Sequence, residues 1–315
     1  MNFPQPGRTV DPGNGKETPV LEDSVHPVPE ELDIPRPVGT LRVLRWGRGP
    51  RHAVALHGIT ANAVAWLPVA DALPTEWSLF AVDLRGRGHS AELPGPYGFD
   101  RHLSDVLDAV AHLGLELPVL TGHSLGAYLA LLIFDRAPDM FDGLLLVDGA
   151  LPLPVPGGAD LDAVLDASLG PALARLRESY PSVDAYFDFW RAHPAMKDAW
   201  NGYLEEYLRY DLTGVDGVLH SRVSEEAARA DGRELLGASA RLGAALRALT
   251  RPARLLTAPA GMFGQPPGLL PPELCETWAA QAPVLRMETV PGANHYTILL
   301  DPGHAATVAR RLTEA

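Results

Sequence analysis

Residues 122–126, Gly122-His123-Ser124-Leu125-Gly126, follow the apolar run Pro118-Val119-Leu120 and open a helical stretch expected at 127–136. A strand that turns at once into a helix leaves the chain little freedom. The bend is so tight that side chains on its flanks would clash, which accounts for a glycine on either side of the serine. The turn lifts the serine hydroxyl clear of the sheet. The helix that starts there points its N–H groups and positive dipole end at the same place. Alone, the pentapeptide is a weak signal, because it also occurs as an ordinary Gly-Ser turn. With a strand before it and a helix after it, it marks Ser124 as a nucleophile at the elbow between the two.

From Thr40 onward, strand patterns alternate with helix patterns, which argues for a mostly parallel sheet covered on both faces. Seven short apolar strands are expected, at 41–46, 53–56, 78–82, 119–121, 144–147, 253–257 and 285–290. Strands buried on both faces have this composition. Between the fifth and sixth of these lies an insertion, residues 151–250, that opens with Pro152, Pro154 and Pro156 and reads as helices and loops. An insertion of that size between core strands is expected to form a cap over the C-terminal edge of the sheet. The segment before the first strand is rich in proline and acidic residues, with turn signals at Asp11-Pro12-Gly13-Asn14-Gly15, and reads as an arm on the surface. The expected division is an arm at 1–37, a core at 38–150 and 251–315, and a helical cap at 151–250.

Composition narrows the function classes. A net charge of −13 argues against nucleic acid and against anionic membrane surfaces as partners. No window approaches the roughly 18 to 20 continuous apolar residues of a membrane span, and no basic start precedes an apolar core. One cysteine, Cys275, excludes an internal disulfide and suits a reducing compartment, so a cytoplasmic location is expected. None of the 11 histidines falls in a paired ligand motif, so no metal site is expected. Oligomeric state stays open.

Four motifs in order resemble the α/β-hydrolase superfamily over roughly residues 40–315. His57-Gly58-Ile59-Thr60 resembles its oxyanion loop, and Asp83-Leu84-Arg85-Gly86-Arg87-Gly88-His89-Ser90 the loop after its next core strand. The serine pentapeptide comes third, and Gly292-Ala293-Asn294-His295, after the last strand, matches the position of its catalytic histidine. The resemblance implies an α/β fold with a mostly parallel central sheet of about eight strands flanked by helices, and a helical cap inserted after the sixth core strand. It also implies a capped serine hydrolase. His295 would be the base that activates Ser124, since histidine titrates nearest neutral pH. His304 is its nearest rival, expected in the first turn of the terminal helix. The backbone amides of Ile59 and Leu125 would hold the oxyanion. His57 is expected to brace its loop rather than react. With Trp66 and Tyr128 it is counted among residues near the substrate.

The chain departs from the family pattern at the acid. The strand expected at 253–257 runs into Ala258-Pro259-Ala260-Gly261-Met262-Phe263-Gly264, with no carboxylate. Some family members carry the acid one strand earlier, and here Leu144-Leu145-Leu146-Val147 ends in Asp148. Its strand should neighbour the elbow strand, about 5 Å away. Asp148 is therefore the favoured acid, with Glu273, Glu276 and Glu288 as rivals, a serine–histidine dyad or an acid elsewhere as further alternatives, and a role limited to holding the loop as the bland one. A serine nucleophile leaves acyl transfer to water: a small to medium apolar carboxylic ester or lactone, through an acyl-enzyme that needs no cofactor. Tyr180, Tyr186, Phe187, Phe189, Trp190, Trp200, Tyr203, Tyr207 and Tyr210 in the insertion are read mainly as cap core, with some free to line a pocket. Two alternatives stay open: a carbon–carbon bond hydrolase of ring-fission products, and a non-catalytic binding protein on the same fold.

Overall fold

The strand that leads into Ser124, Val119–His123, is buried along its whole length, as a strand covered on both faces must be. In the computed structural model, which describes residues 26–215 and 217–315, it lies inside an eight-stranded sheet. Along the chain come β1 (Glu30–Pro35), β2 (Thr40–Trp46), β3 (Arg51–Leu56), β4 (Trp77–Val82), β5 (Val119–His123) and β6 (Leu144–Val147). A separate hairpin of β7 (Leu212–Val215) and β8 (Val218–Ser221) follows, and β9 (Ala253–Thr257) and β10 (Leu285–Thr289) complete the sheet. The order across the sheet is β1-β2-β4-β3-β5-β6-β9-β10. From β4 to β10 every neighbouring pair is parallel, and β2 and β1 add antiparallel at one edge.

The sequence pattern did not reveal β1, nor the β7–β8 hairpin, which lies in the stretch expected to hold helices and loops. β1 falls in the proline- and acid-rich segment before Thr40, where Pro35 ends it and Glu31 and Asp33 face Arg42 of β2. Proline is tolerated there because an edge strand has one unpaired side. The turn signal at 11–15 lies outside the described residues.

Helices α1 (Leu67–Ala72), α2 (Phe99–His112) and α3 (Leu125–Arg136) follow β3, β4 and β5. The stretch after β6 holds α4 (Leu161–Ala174), α5 (Val183–Arg191), α6 (Gly202–Asp211), the β7–β8 hairpin, α7 (Glu225–Gly237) and α8 (Ser239–Ala248). α9 (Pro272–Gln281) links β9 to β10, and α10 (Thr297–Leu300) and α11 (Pro302–Thr313) end the chain. Successive side chains of a strand point to opposite faces. Leu144 and Leu146 accordingly join one core cluster with α2 and α3, while Leu145 and Val147 join a second with α1, α10 and α11.

The helices after β6 divide the same way. Leu165 and Leu173 of α4 and Ala228 of α7 belong to the first cluster, and Tyr186, Phe187 and Trp190 of α5 with Leu204, Tyr207 and Leu208 of α6 belong to the second. α8 packs back onto α3. The cap thus straddles the site with an aliphatic half and an aromatic half. No helix among the described residues is long and apolar enough to cross a membrane.

Candidate active site

Ser124 stands where β5 becomes α3, and its backbone shows how sharp that change is. Its φ of 53° and ψ of −124° lie in a region that non-glycine residues rarely enter. Such strain persists only where the surroundings over-determine it. Two glycines do so here. A β-carbon on Gly122 would come within 2.0 Å of the Gly126 carbonyl oxygen, and one on Gly126 within 2.1 Å of the Leu56 oxygen. Both obstacles are backbone, so neither can move aside. The first turn of α3 therefore presses against the end of β3, which brings Ser124 beside the loop that follows β3.

Asp148 ends β6, the next strand over, and is wholly buried. Its Oδ2 lies 2.6 Å from Nδ1 of His295, and its Oδ1 accepts the backbone N–H of Ala258 at 3.0 Å. A carboxylate can only accept, so Nδ1 of His295 carries the proton and Nε2 is left as the basic nitrogen. The absence of an acid after β9 has its counterpart here: the residue just beyond that strand offers a backbone donor to the acid on β6.

The His295 loop is pinned from two sides. Nε2–H of His123 donates to the His295 carbonyl at 2.8 Å, with the two rings 4.7 Å apart. Burial, reinforced by the neighbouring His295, pushes the His123 imidazole well below its ordinary pKa, so it is neutral with a single N–H to give. Asn294 accepts from the N–H groups of Tyr296 and Thr297 and donates to the Ala195 carbonyl of the cap at 2.8 Å.

In the loop after β3, Nδ1–H of His57 donates to the Gly58 carbonyl at 2.8 Å, and Nε2 accepts the Leu84 N–H at 3.0 Å. Burial pushes this imidazole down to about 3, so it is neutral and its tautomer is set by these two partners. Arg87, without exposed surface, donates from Nε to the Ile59 carbonyl at 2.9 Å and pairs with Asp231 of α7 at 2.5 Å. His102 meets the same carboxylate at 2.9 Å. Asp83 accepts from Ala63 N–H, His89 N–H and the Tyr210 hydroxyl; burial outweighs these bonds and raises it to about 6.

Ser124 and His295 open onto one cavity. Gly58, Ile59 and Leu125 line it beside the serine. Leu165, Leu169, Leu235 and Leu236 form its aliphatic wall, and Trp190, Tyr207 and Tyr296 its aromatic wall. No Asp, Glu, Lys or Arg side chain is among the described residues that line it.

A model of the alpha/beta hydrolase family matches residues 53–311. The chain belongs to that family. Across 279 residues it is 26% identical to 2-(acetamidomethylene)succinate hydrolase of Mesorhizobium japonicum, covering 89% of this chain and 92% of that one. It is 30% identical over 173 residues to esterase Rv0045c of Mycobacterium tuberculosis, 55% of this chain and 56% of that one. A match of 32% identity to a serine hydrolase-like protein of Danio rerio spans only 40% of either chain. Among solved structures, E-2-(acetamidomethylene)succinate hydrolase aligns with a TM-score of 0.72 at 22% identity, over 92% of this chain and 100% of that one. The thioesterase domain from a curacin biosynthetic pathway aligns at 0.73 and 18%, over 91% and 99%. These last two likenesses concern the fold.

Within this alpha/beta hydrolase, the residues singled out from sequence separate into those that meet and those that do not. Ser124, His295, Ile59, Leu125 and Tyr128 line one cavity, and Asp148 touches His295. Trp66 and His57 lie outside the cavity wall. Trp66 is fully buried in the short helical turn Ala63–Trp66, whose Ala65 faces the cavity instead, and both ring nitrogens of His57 are engaged within the loop framework. Glu273 and Glu276 lie on α9, away from the cavity wall, and Glu288 is bound to Arg311. His304 is bound to the Thr297 carbonyl at the start of α11. Of the nine cap aromatics, Trp190 and Tyr207 reach the cavity. Sequence reasoning assigned no role to His123; the one signal was a polar residue closing an apolar strand.

Proposed function

We propose that this alpha/beta hydrolase is a serine carboxylic ester hydrolase for a neutral, small to medium, apolar ester or lactone. What carries the assignment is the 2.6 Å contact between Asp148 and His295 on the cavity that also holds Ser124. The Ser124 hydroxyl attacks the ester carbonyl carbon as Nε2 of His295 takes its proton. The N–H groups of Ile59 and Leu125 stabilise the negative oxygen of the tetrahedral intermediate. Nε2 then returns the proton to the leaving alcohol oxygen, and the acyl group stays on Ser124. A water repeats the sequence: its proton passes to His295, its oxygen joins the acyl carbon, and the carboxylic acid leaves as Ser124 regains a proton. Asp148 holds the ring in the tautomer that keeps Nε2 basic and stabilises the imidazolium that forms. The single thiol, on half-buried Cys275, suits a reducing cytoplasm.

The substrate class follows from the walls. A dicarboxylate, as succinate in a relative's name denotes, would need cationic partners, and no charged side chain is among the described residues that line this cavity. An alkyl chain against the leucines of α4 and α7 gains about 0.8 kcal/mol per methylene. Carbon–carbon cleavage would use the same three residues, so substrate tests separate the two reactions.

Intact-protein mass after brief exposure to a fluorophosphonate is the first test. One adduct on wild type and none on Ser124→Ala is expected. No adduct on folded wild type would remove the nucleophile and leave a binding protein. Among p-nitrophenyl esters, kcat/KM should rise about fifteenfold from acetate to butyrate, the gain from two buried methylenes.

A further inference from the structure

The oxyanion loop is held by three successive carbonyls, and one of the three is held from the cap. The Gly58 oxygen accepts from Nδ1 of His57 at 2.8 Å and from the Ala61 N–H at 3.2 Å. The Ile59 oxygen accepts from Nε of Arg87 at 2.9 Å, and the Thr60 oxygen from Nη2 of Arg175 at 2.8 Å. Arg175 lies just beyond α4, is buried, and is itself fixed. Its Nη1 donates to Asp211 of α6 at 2.9 Å and to the Tyr186 hydroxyl of α5 at 2.8 Å, and its Cζ sits 5.1 Å from the centre of the Trp190 ring. Tyr186 and Ser221 also donate to Asp211.

A trans peptide group points its C=O and its N–H in opposite directions. Holding the Thr60 carbonyl therefore aims the N–H of the same peptide group, on Ala61, and that N–H is the one that donates to the Gly58 carbonyl. Holding the Gly58 carbonyl in turn aims the Ile59 N–H, the oxyanion donor. Two hydrogen bonds and two peptide planes thus connect a cap arginine to the atom that would meet the developing negative charge. We infer that Arg175, fixed by Asp211, is a positioning residue for the oxyanion hole, so that docking of the cap and competence of the site are one event. This rests on the ester hydrolase assignment above, and Arg175 itself touches no substrate.

A displaced oxyanion donor affects the transition state more than the bound ester, because the negative oxygen exists only there. Arg175→Met should lower kcat for p-nitrophenyl butyrate about thirtyfold, less than the full 10²–10³ of a lost donor, while KM changes less than about threefold. The rate of fluorophosphonate labelling at Ser124 should fall in parallel, since its phosphoryl oxygen occupies the same place. Arg175→Lys, which can still reach the carbonyl, should recover part of the loss.

Arg175→Met alone leaves a buried carboxylate short of its partner. The double variant Arg175→Met/Asp211→Leu removes the charges together, a replacement often neutral for folding, and still leaves Thr60 without its donor. It should match the single variant in kcat. Arg177→Met, at an exposed cap arginine bound to Glu225, serves as the control and should stay within about twofold. Normal kcat in the folded double variant, or an equal loss in Arg177→Met, would overturn the positioning role while wild-type labelling still upheld the nucleophile. Wild type that takes no label at Ser124 would overturn both together.

Discussion

Ser124 and Arg175 are held in place by different means. Around Ser124 the restraint is steric and lies mostly within the backbone: a strained turn, two glycines that admit no side chain, and β3, β5 and β6 in parallel register. Around Arg175 the restraint is polar and lies in side chains, a buried arginine shared by Asp211, Tyr186 and the Thr60 carbonyl. Further joints between cap and core are of the second kind as well: Arg87 with Asp231, Tyr210 with Asp83, Asn294 with the Ala195 carbonyl. Steric restraint fixes one arrangement and tolerates nothing else, whereas polar joints can be replaced, weakened or titrated. The core should therefore respond to substitution as a rigid part and the cap as a fitted one.

Asp148 gives the largest test of the rigid part. Asn in its place keeps the size and the Ala258 contact but presents an amide to Nδ1 of His295, which favours the tautomer with a proton on Nε2 and leaves Ser124 without a base. We expect kcat to fall by about 10⁴, with the unfolding midpoint little changed. A loss below about tenfold would remove Asp148 from the reaction and reduce its role to holding the Ala258 turn.

Glycine-to-alanine substitutions set the two regions directly against each other. Gly126→Ala should destabilise the fold by about 3 kcal/mol, because its β-carbon meets the Leu56 carbonyl at 2.1 Å and the backbone there cannot yield. Gly237→Ala, at the end of α7 in the cap, meets only a Leu161 methyl at 4.0 Å and should stabilise by about 0.5–1 kcal/mol through lower entropy of the unfolded chain. Denaturant unfolding of both variants measures the contrast. Equal effects of one sign would mean that the elbow is no more rigid than the cap.

The same contrast decides what the sequence made legible. The elbow, the order of the motifs and the carboxylate that follows β6 are encoded over a few residues each, so pattern and glycine placement make their positions legible. Asp148 could be singled out because an apolar run beside the elbow strand ends in a carboxylate, and an ionised group is seldom placed against a buried sheet without a partner. β1 escaped because an edge strand flanked by proline and rich in acidic residues carries no buried-strand signature. Trp66 was placed on the cavity wall by proximity in sequence, yet in a helical turn the neighbouring Ala65 faces the cavity and Trp66 packs into the core. The cap joints were beyond reach for a physical reason. Arg175 bonds Thr60 across 115 positions and Arg87 of the core meets Asp231 of the cap, and no local pattern marks which arginine will be buried.

Titration probes the joint between the two regions. His57 remains neutral in the fold down to about pH 3 because burial disfavours its charge, whereas in the unfolded chain it takes a proton near its ordinary value of 6.5. Between these values the unfolded state binds more protons, so this residue's share of stability is complete above the upper limit and declines as pH falls, by about 1.4 kcal/mol per unit. Asp83 works in the other sense. Its carboxyl is raised from 3.8 to about 6, so through that window the folded state holds the extra proton and stability falls as pH rises. His89, lowered to about 4 by burial, adds to the His57 trend. The slopes partly cancel in the wild type, and single variants separate them. Measured from about pH 6 to 4, His57→Gln should flatten the acid loss of stability by about one proton's worth, and Asp83→Asn should steepen it by a similar amount. Gln can still donate or accept within the loop, which keeps the comparison to charge. Parallel profiles for wild type and both variants would mean that water reaches these groups, and the joint between cap and core would then be wet rather than closed.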